Sequence, residues 1–170
     1  MPRKTVFRCN IVRKKDGLDK AFPKYYVYTY PNDKFLMAAK KMPKNKTPNY
    51  HVTLNSNDYF EKDSFSLGKL RSNFFGTEFN LFDNGINPKD KNDTSLWRSY
   101  ICSIKYETNL FGLKGPRKMQ VYLPGLTDND QISLVKSSKN GDGLIEMNKT
   151  NPDNVITFKN KLPKWNERKF

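Results

Sequence analysis

The residues best equipped for chemistry in this chain are cations set in acid-free stretches of the sequence. Residues 35 to 50 read FLMAAKKMPKNKTPNY, and within them Lys40, Lys41, Lys44 and Lys46 follow one another with no Asp or Glu between them. Phe35 to Ala39 is a short apolar run suited to a strand buried by the body of the fold, so a rigid element feeds straight into concentrated positive charge. A second basic segment, Gly68-Lys69-Leu70-Arg71-Ser72-Asn73, sets an arginine among small and hydrogen-bonding residues. A guanidinium so placed can give paired hydrogen bonds to one phosphate, while lysine ammonium groups act as adaptable point charges. Two such segments could close one anion site. The plain alternative is a solvated face, which is what most basic runs are.

Catalytic chemistry finds little support. The single histidine, His51, lies in a strand-like stretch where a satisfied structural role is expected. Two cysteines far apart, Cys9 and Cys102, with one histidine leave no basis for a Cys/His zinc site. There is no P-loop, no G-x-S-x-G elbow and no dinucleotide fingerprint. Asp128 and Asp130 sit in turn-like sequence and read as loop solvation rather than an acid/base pair. No enzymatic activity, cofactor or metal is expected.

The elements that must position the cations are strands. Val6 to Arg13 alternates as a half-buried strand, Lys24 to Tyr30 (KYYVYTY) is aromatic and β-branched, and Pro31-Asn32-Asp33 turns it into the strand at Phe35. Tyr50 to Leu54, Thr77 to Phe82, Arg98 to Glu107 and Gln120 to Leu123 follow as strands. Leu67 to Phe74 fits a strand or a helical turn equally. Weaker strands are expected at Ile132 to Lys136, Gly143 to Met147 and Val155 to Lys159, and residues 86–95 read as the longest surface loop. No helical periodicity is sustained beyond a turn or two, so the class is mainly β and antiparallel.

At 170 residues the chain is one domain's worth, and its 12 Phe and 9 Tyr supply large apolar side chains to a modest 36% hydrophobic content. Formal net charge is +14, from 31 Lys and Arg against 17 Asp and Glu. Such an excess favours polyanions, either nucleic acid or the anionic cytoplasmic face of a membrane, although surface Lys and Asn account for part of it without any partner. Both cysteines lie in alternating apolar segments and are expected as small buried hydrophobes in a reducing cytosol or nucleus. With no run of transmembrane length and no lipidation motif, membrane contact is expected to be peripheral.

Several segments together resemble the tubby C-terminal domain. FLMAAKK and NKTPNYHVTL, then LGKLRSNFFGTEFNLFDNGINP, then YETNLFGLKGPRKM with VYLPG, and finally NKLPKWN occur in that domain's order, and FRCNIVRKKDGLDKAFPKYYVY resembles its start. The resemblance covers essentially the whole chain, residues 1–170, as a single domain. It implies a closed antiparallel β-barrel around a central hydrophobic helix, without enzymatic activity, that binds phosphoinositides such as phosphatidylinositol 4,5-bisphosphate. By position the headgroup site becomes Lys40 and Lys41, with Lys44 and Lys46 as nearby charge and Arg71 as the fork. Asn73 either holds the shape of its segment or makes an ordinary turn.

Two departures from the family pattern bear on function. Relatives continue the basic strand with alternating arginines and lysines, whereas Met42 and Pro43 stand in two of those places here. Lys40 and Met42 would share a strand face, so one phosphate contact is expected to be lost. At about 1 kcal/mol per cation near an anionic surface, that implies weaker binding or a different phosphoinositide preference. The chain also stops just after Pro163-Lys164-Trp165-Asn166, where relatives continue into closing strands and the central helix. An incomplete or open barrel is therefore expected, whether the chain is a fragment, folds as an open sheet or is completed by a partner. The function implied is a peripheral adaptor at the cytoplasmic face of the plasma membrane. A nucleic-acid-binding transcription regulator in the nucleus, or a nonfunctional truncated homologue, is the alternative.

Overall fold

A computed structural model describes residues 6–14, 22–43, 46–56, 65–107 and 118–161. The strands among these residues are β1 (Cys9–Lys14), β2 (Lys24–Thr29), β3 (Phe35–Lys41), β4 (Asn49–Thr53), β5 (Ser66–Ser72), β6 (Glu78–Phe82), β7 (Tyr100–Tyr106), β8 (Met119–Pro124) and β9 (Val155–Lys159), and the α-helix among the described residues is α1 (Leu144–Thr150). The fold is mainly antiparallel β, as expected. The chain forms two compact units, Met1–Arg71 and Ser72–Phe170.

In the first unit β1 to β5 pair antiparallel in sequence order. The aromatic and β-branched run of β2 packs a pleated surface well, and its Tyr26 is buried with Ala38 of β3, flanked by Tyr28 and Phe35. The β2–β3 turn closes with Asp33 N–H donating to the Thr29 carbonyl (3.0 Å) and Thr29 N–H to that of Lys34 (2.8 Å). Leu67 to Phe74, which fitted two conformations, is strand β5 as far as Ser72. β1 differs from the half-buried strand its alternation predicts, because all six residues are exposed. Among the described residues it pairs with β2 alone, so Ile11 and Val12 keep their water and Cys9 is exposed rather than a buried hydrophobe.

In the second unit β6 to β9 pair antiparallel in order, and α1 contributes Leu144 to a core of Phe82, Tyr100, Tyr122 and Val155. The strand expected at Gly143 to Met147 is instead the N-cap and first turn of this helix. Five residues of loose alternation do not separate the two conformations. Packing decides for the helix, because it buries Leu144 and half-buries Ile145 and Met147 while Glu146 and Lys149 pair on the wet side at 2.8 Å. Gly143 starts α1 where a Cβ would stand 2.8 Å from the Tyr100 hydroxyl. The strand expected at Ile132 to Lys136 reduces to isolated bridges, Leu126–Ile132 and Ser99–Lys136, and Ile132 and Leu134 are 75% and 71% exposed. Residues 86–95 carry an Ile86–Trp97 bridge and end in a 3-10 turn capped by Asp93, whose carboxylate accepts from Ser95 N–H at 2.9 Å. The Ser95 hydroxyl, which donates to the same carboxylate at 2.6 Å, and then that N–H hold the Asp93 carboxyl below its ordinary range.

Candidate functional site

Strand register in the first unit decides which cations meet. β3 runs on through Lys41, so Lys40 and Lys41 are strand residues rather than the start of a loop, and their side chains leave opposite faces. Lys40 stands across from Lys24 on one side and His51 on the other, His51 stands across from Lys69, and Lys24 from Lys14. Residues directly opposite share a face. One row across five strands therefore reads Lys14, Lys24, Lys40, His51, Lys69, on the same face as the buried Tyr26, Ala38 and Thr53.

The next row holds the arginine. Asn49 pairs with Arg71, and Met42 N–H donates to the Asn49 carbonyl at 2.7 Å, extending the β3–β4 pairing so that Met42, Asn49 and Arg71 line up. The face is that of Lys40, with Lys40 and Arg71 about 12 Å apart at Cα by ordinary strand spacings. Arg71 Nε and Asn49 Oδ1 are both buried, and neither has a hydrogen-bond partner among the described residues. Leaving such a group unsatisfied costs about 1–3 kcal/mol, so adjacent strands carry one orphan donor and one orphan acceptor at the same end of the sheet. The cation that the resemblance leads one to expect at position 42 would have stood in this row.

The other candidate residues fall elsewhere. Lys41 is on the opposite face, across from Tyr50, where the Tyr25 and Tyr50 rings meet edge-on at 6.1 Å and the Arg13 guanidinium lies 5.7 Å from the Tyr25 ring centre. Burial, then the neighbouring Tyr25, pushes the Tyr50 hydroxyl above its ordinary pKa. Lys46 is exposed in the stretch leading into β4, and Lys44 lies outside the described residues. The structure thus joins Lys40 to Arg71 and separates both from Lys41. Asn49 and Lys24 were missed by sequence reasoning. The alternation of β2 puts Lys24 on the face of Tyr26, a signal present in the sequence but without meaning until the neighbouring strands are in register.

Two further residues have defined structural work. His51 is buried with Nε2 2.5 Å from Ser66 Oγ, the satisfied role expected of it. Asn73 holds the turn before β6: its carboxamide accepts from Thr77 N–H (3.0 Å) and Glu78 N–H (3.2 Å) and donates to Thr77 Oγ1 (2.9 Å). In the second unit a polar hollow of about 120 Å³ is lined by Glu78, Lys105, Glu146 and Lys149, and its carboxylates are engaged in Glu78–Lys105 (3.1 Å) and Glu146–Lys149 pairs. Among the described residues no cluster of His, Cys, Asp or Glu could hold a metal ion, and no helix is long and apolar enough to cross a membrane.

A model of the Tub family matches residues 1–169. Tubby-related protein 2 of Mus musculus is 37% identical over 174 residues, covering 98% of this chain and 31% of the relative. King tubby of Drosophila melanogaster is 38% identical over 172 residues, covering 98% and 36%, and king tubby of Anopheles gambiae 38% over 167 residues, covering 95% and 36%. The chain spans about a third of the length of these curated relatives.

Proposed function

The chain belongs to the Tub family, and from that membership we propose a non-catalytic module that binds phosphoinositide headgroups and sits peripherally on the cytoplasmic face of the plasma membrane. The observation that carries the reading is the orphan pair in the second row. Arg71 Nε is a buried donor on a permanent cation, and Asn49 Oδ1 beside it is a buried acceptor, neither with a partner among the described residues. A phosphorylated inositol ring answers both, since its phosphate oxygens accept from the guanidinium and its free hydroxyls donate to the amide oxygen. Lys40, one row away on the same face, supplies the point charge for a second ring phosphate. Lys41, Lys44 and Lys46 then attract the anionic surface at longer range rather than touching the ring. Met42 in the Arg71 row leaves this site one cation short, which favours a weaker grip on a bisphosphate.

The test is co-sedimentation with vesicles at near-physiological salt, comparing phosphatidylinositol 4,5-bisphosphate with charge-matched phosphatidylserine for the wild type and the Lys40→Ala/Arg71→Ala double variant. The expected result is selective binding that the double variant loses while keeping most of its charge. Equal binding to both vesicles, untouched by the substitutions, would sink the pocket and leave non-specific polyanion attraction, under which nucleic acid becomes the better partner.

A further inference from the structure

We infer that Phe74 and Phe75 form a wedge that inserts into the lipid bilayer when a headgroup is bound, an inference that rests on the phosphoinositide reading above. The two rings are 78% and 83% exposed, more than any other described aromatic residue. They meet edge-on, with centroids 5.6 Å apart and planes at 86°, and so present one apolar knob rather than two separate side chains.

The knob is held out by its turn. Besides the three hydrogen bonds of its carboxamide, Asn73 donates its N–H to the Glu78 carbonyl at 2.9 Å and accepts from Gly76 N–H at 3.3 Å. Gly76 makes the tight reversal at φ +65°, in open space. A braced turn that leaves two phenylalanine rings in water gains nothing within the fold, because apolar surface is favoured by leaving water rather than by facing it.

The charge around the turn selects the occupant. From Phe65 to Thr77 the sequence FSLGKLRSNFFGT holds Lys69 and Arg71 and no acid, and the acid that follows, Glu78, is paired with Lys105 at 3.1 Å. Cations beside exposed aromatic rings match an anionic bilayer surface, where the charges stay among the headgroups and the rings enter the acyl boundary.

The experiment uses the full chain with the substitutions Phe74→Ser/Phe75→Ser and, separately, Phe75→Trp. Soluble inositol 1,4,5-trisphosphate reads the headgroup site alone, and vesicles containing phosphatidylinositol 4,5-bisphosphate read site and wedge together. The serine variant is expected to bind the soluble headgroup as the wild type does and to bind vesicles roughly tenfold or more weakly. The tryptophan variant is expected to shift to the blue on vesicles and to be quenched by brominated acyl chains beyond the wild-type background. A serine variant that sediments like the wild type, or a tryptophan left unquenched on vesicles that carry the protein, overturns the wedge while the headgroup reading stands. Serine-sensitive vesicle binding and quenching, with no affinity for the soluble headgroup, would retain the wedge and overturn the headgroup reading instead. A change of oligomeric state in the serine variant without loss of vesicle binding would make the knob a protein contact and also overturn it.

Discussion

Arg71 and Asn49 each carry a polar atom that burial has stripped of water without giving it a partner among the described residues, and the geometry of the guanidinium matters there as much as its charge. Arg71→Lys keeps the charge and loses the fork. It is expected to weaken soluble headgroup binding by about tenfold, the worth of one or two charged hydrogen bonds, while retention on a heparin column stays unchanged. Cys102 makes a separate case. Burial pushes its thiol above the ordinary value, and burial does the same to the Tyr50 and Tyr100 hydroxyls. Each of these groups holds its proton in the folded state at a pH where the unfolded chain releases it. Their stabilisation is complete below the unfolded values and is lost as pH rises through the folded ones. The thermal midpoint is therefore expected to fall from about pH 8.5 upward, through the thiol and then the phenol range, and Cys102→Ala should lose the first part of that decline. Thiol labelling at pH 8 should reach the exposed Cys9 before Cys102.

At the scale of elements, the turn before β6 and the helix α1 show how local structure is chosen. Asn73→Ala removes three side-chain hydrogen bonds at once. An expected loss of about 1–3 kcal/mol, read as a lower urea midpoint, should be joined by weaker vesicle binding as the phenylalanine pair loses its brace. Leu144 is fully buried, and Leu144→Ala should cost about 2–5 kcal/mol in the same assay, which a residue on a surface strand would not. The strands with strong alternation or aromatic content, β2, β4, β6, β7 and β8, are legible in the amino-acid sequence alone. Gly143 to Met147 is not, because its conformation is set by what Leu144 meets rather than by the spacing of five residues. β1 is legible as a strand but not as an exposed one, since alternation reports which face is apolar and not whether anything covers it.

For the whole chain, a net charge of +14 guarantees attraction to any polyanion. Retention on heparin and on plain anionic vesicles should fall steeply between about 50 and 200 mM salt, whereas the part of vesicle binding that Lys40 and Arg71 govern should persist across that range. Under the proposed function, charge would bring the chain to an anionic surface and the second row of the β3–β4–β5 sheet would discriminate among the anions found there.

The amino-acid sequence by itself determined the mainly β class, the positions of most strands, the family and the segments that supply the cations. These follow from local alternation, turn chemistry and motif order, all carried by neighbouring residues. Tertiary structure alone decided that Lys40 joins Arg71 while Lys41, its neighbour in the chain, does not, and that Asn49 completes the pair. The reason is register: a pleated strand sends successive side chains to opposite faces, and a slip of one residue would exchange every partner on both. That choice is made by hydrogen bonds between strands far apart in sequence.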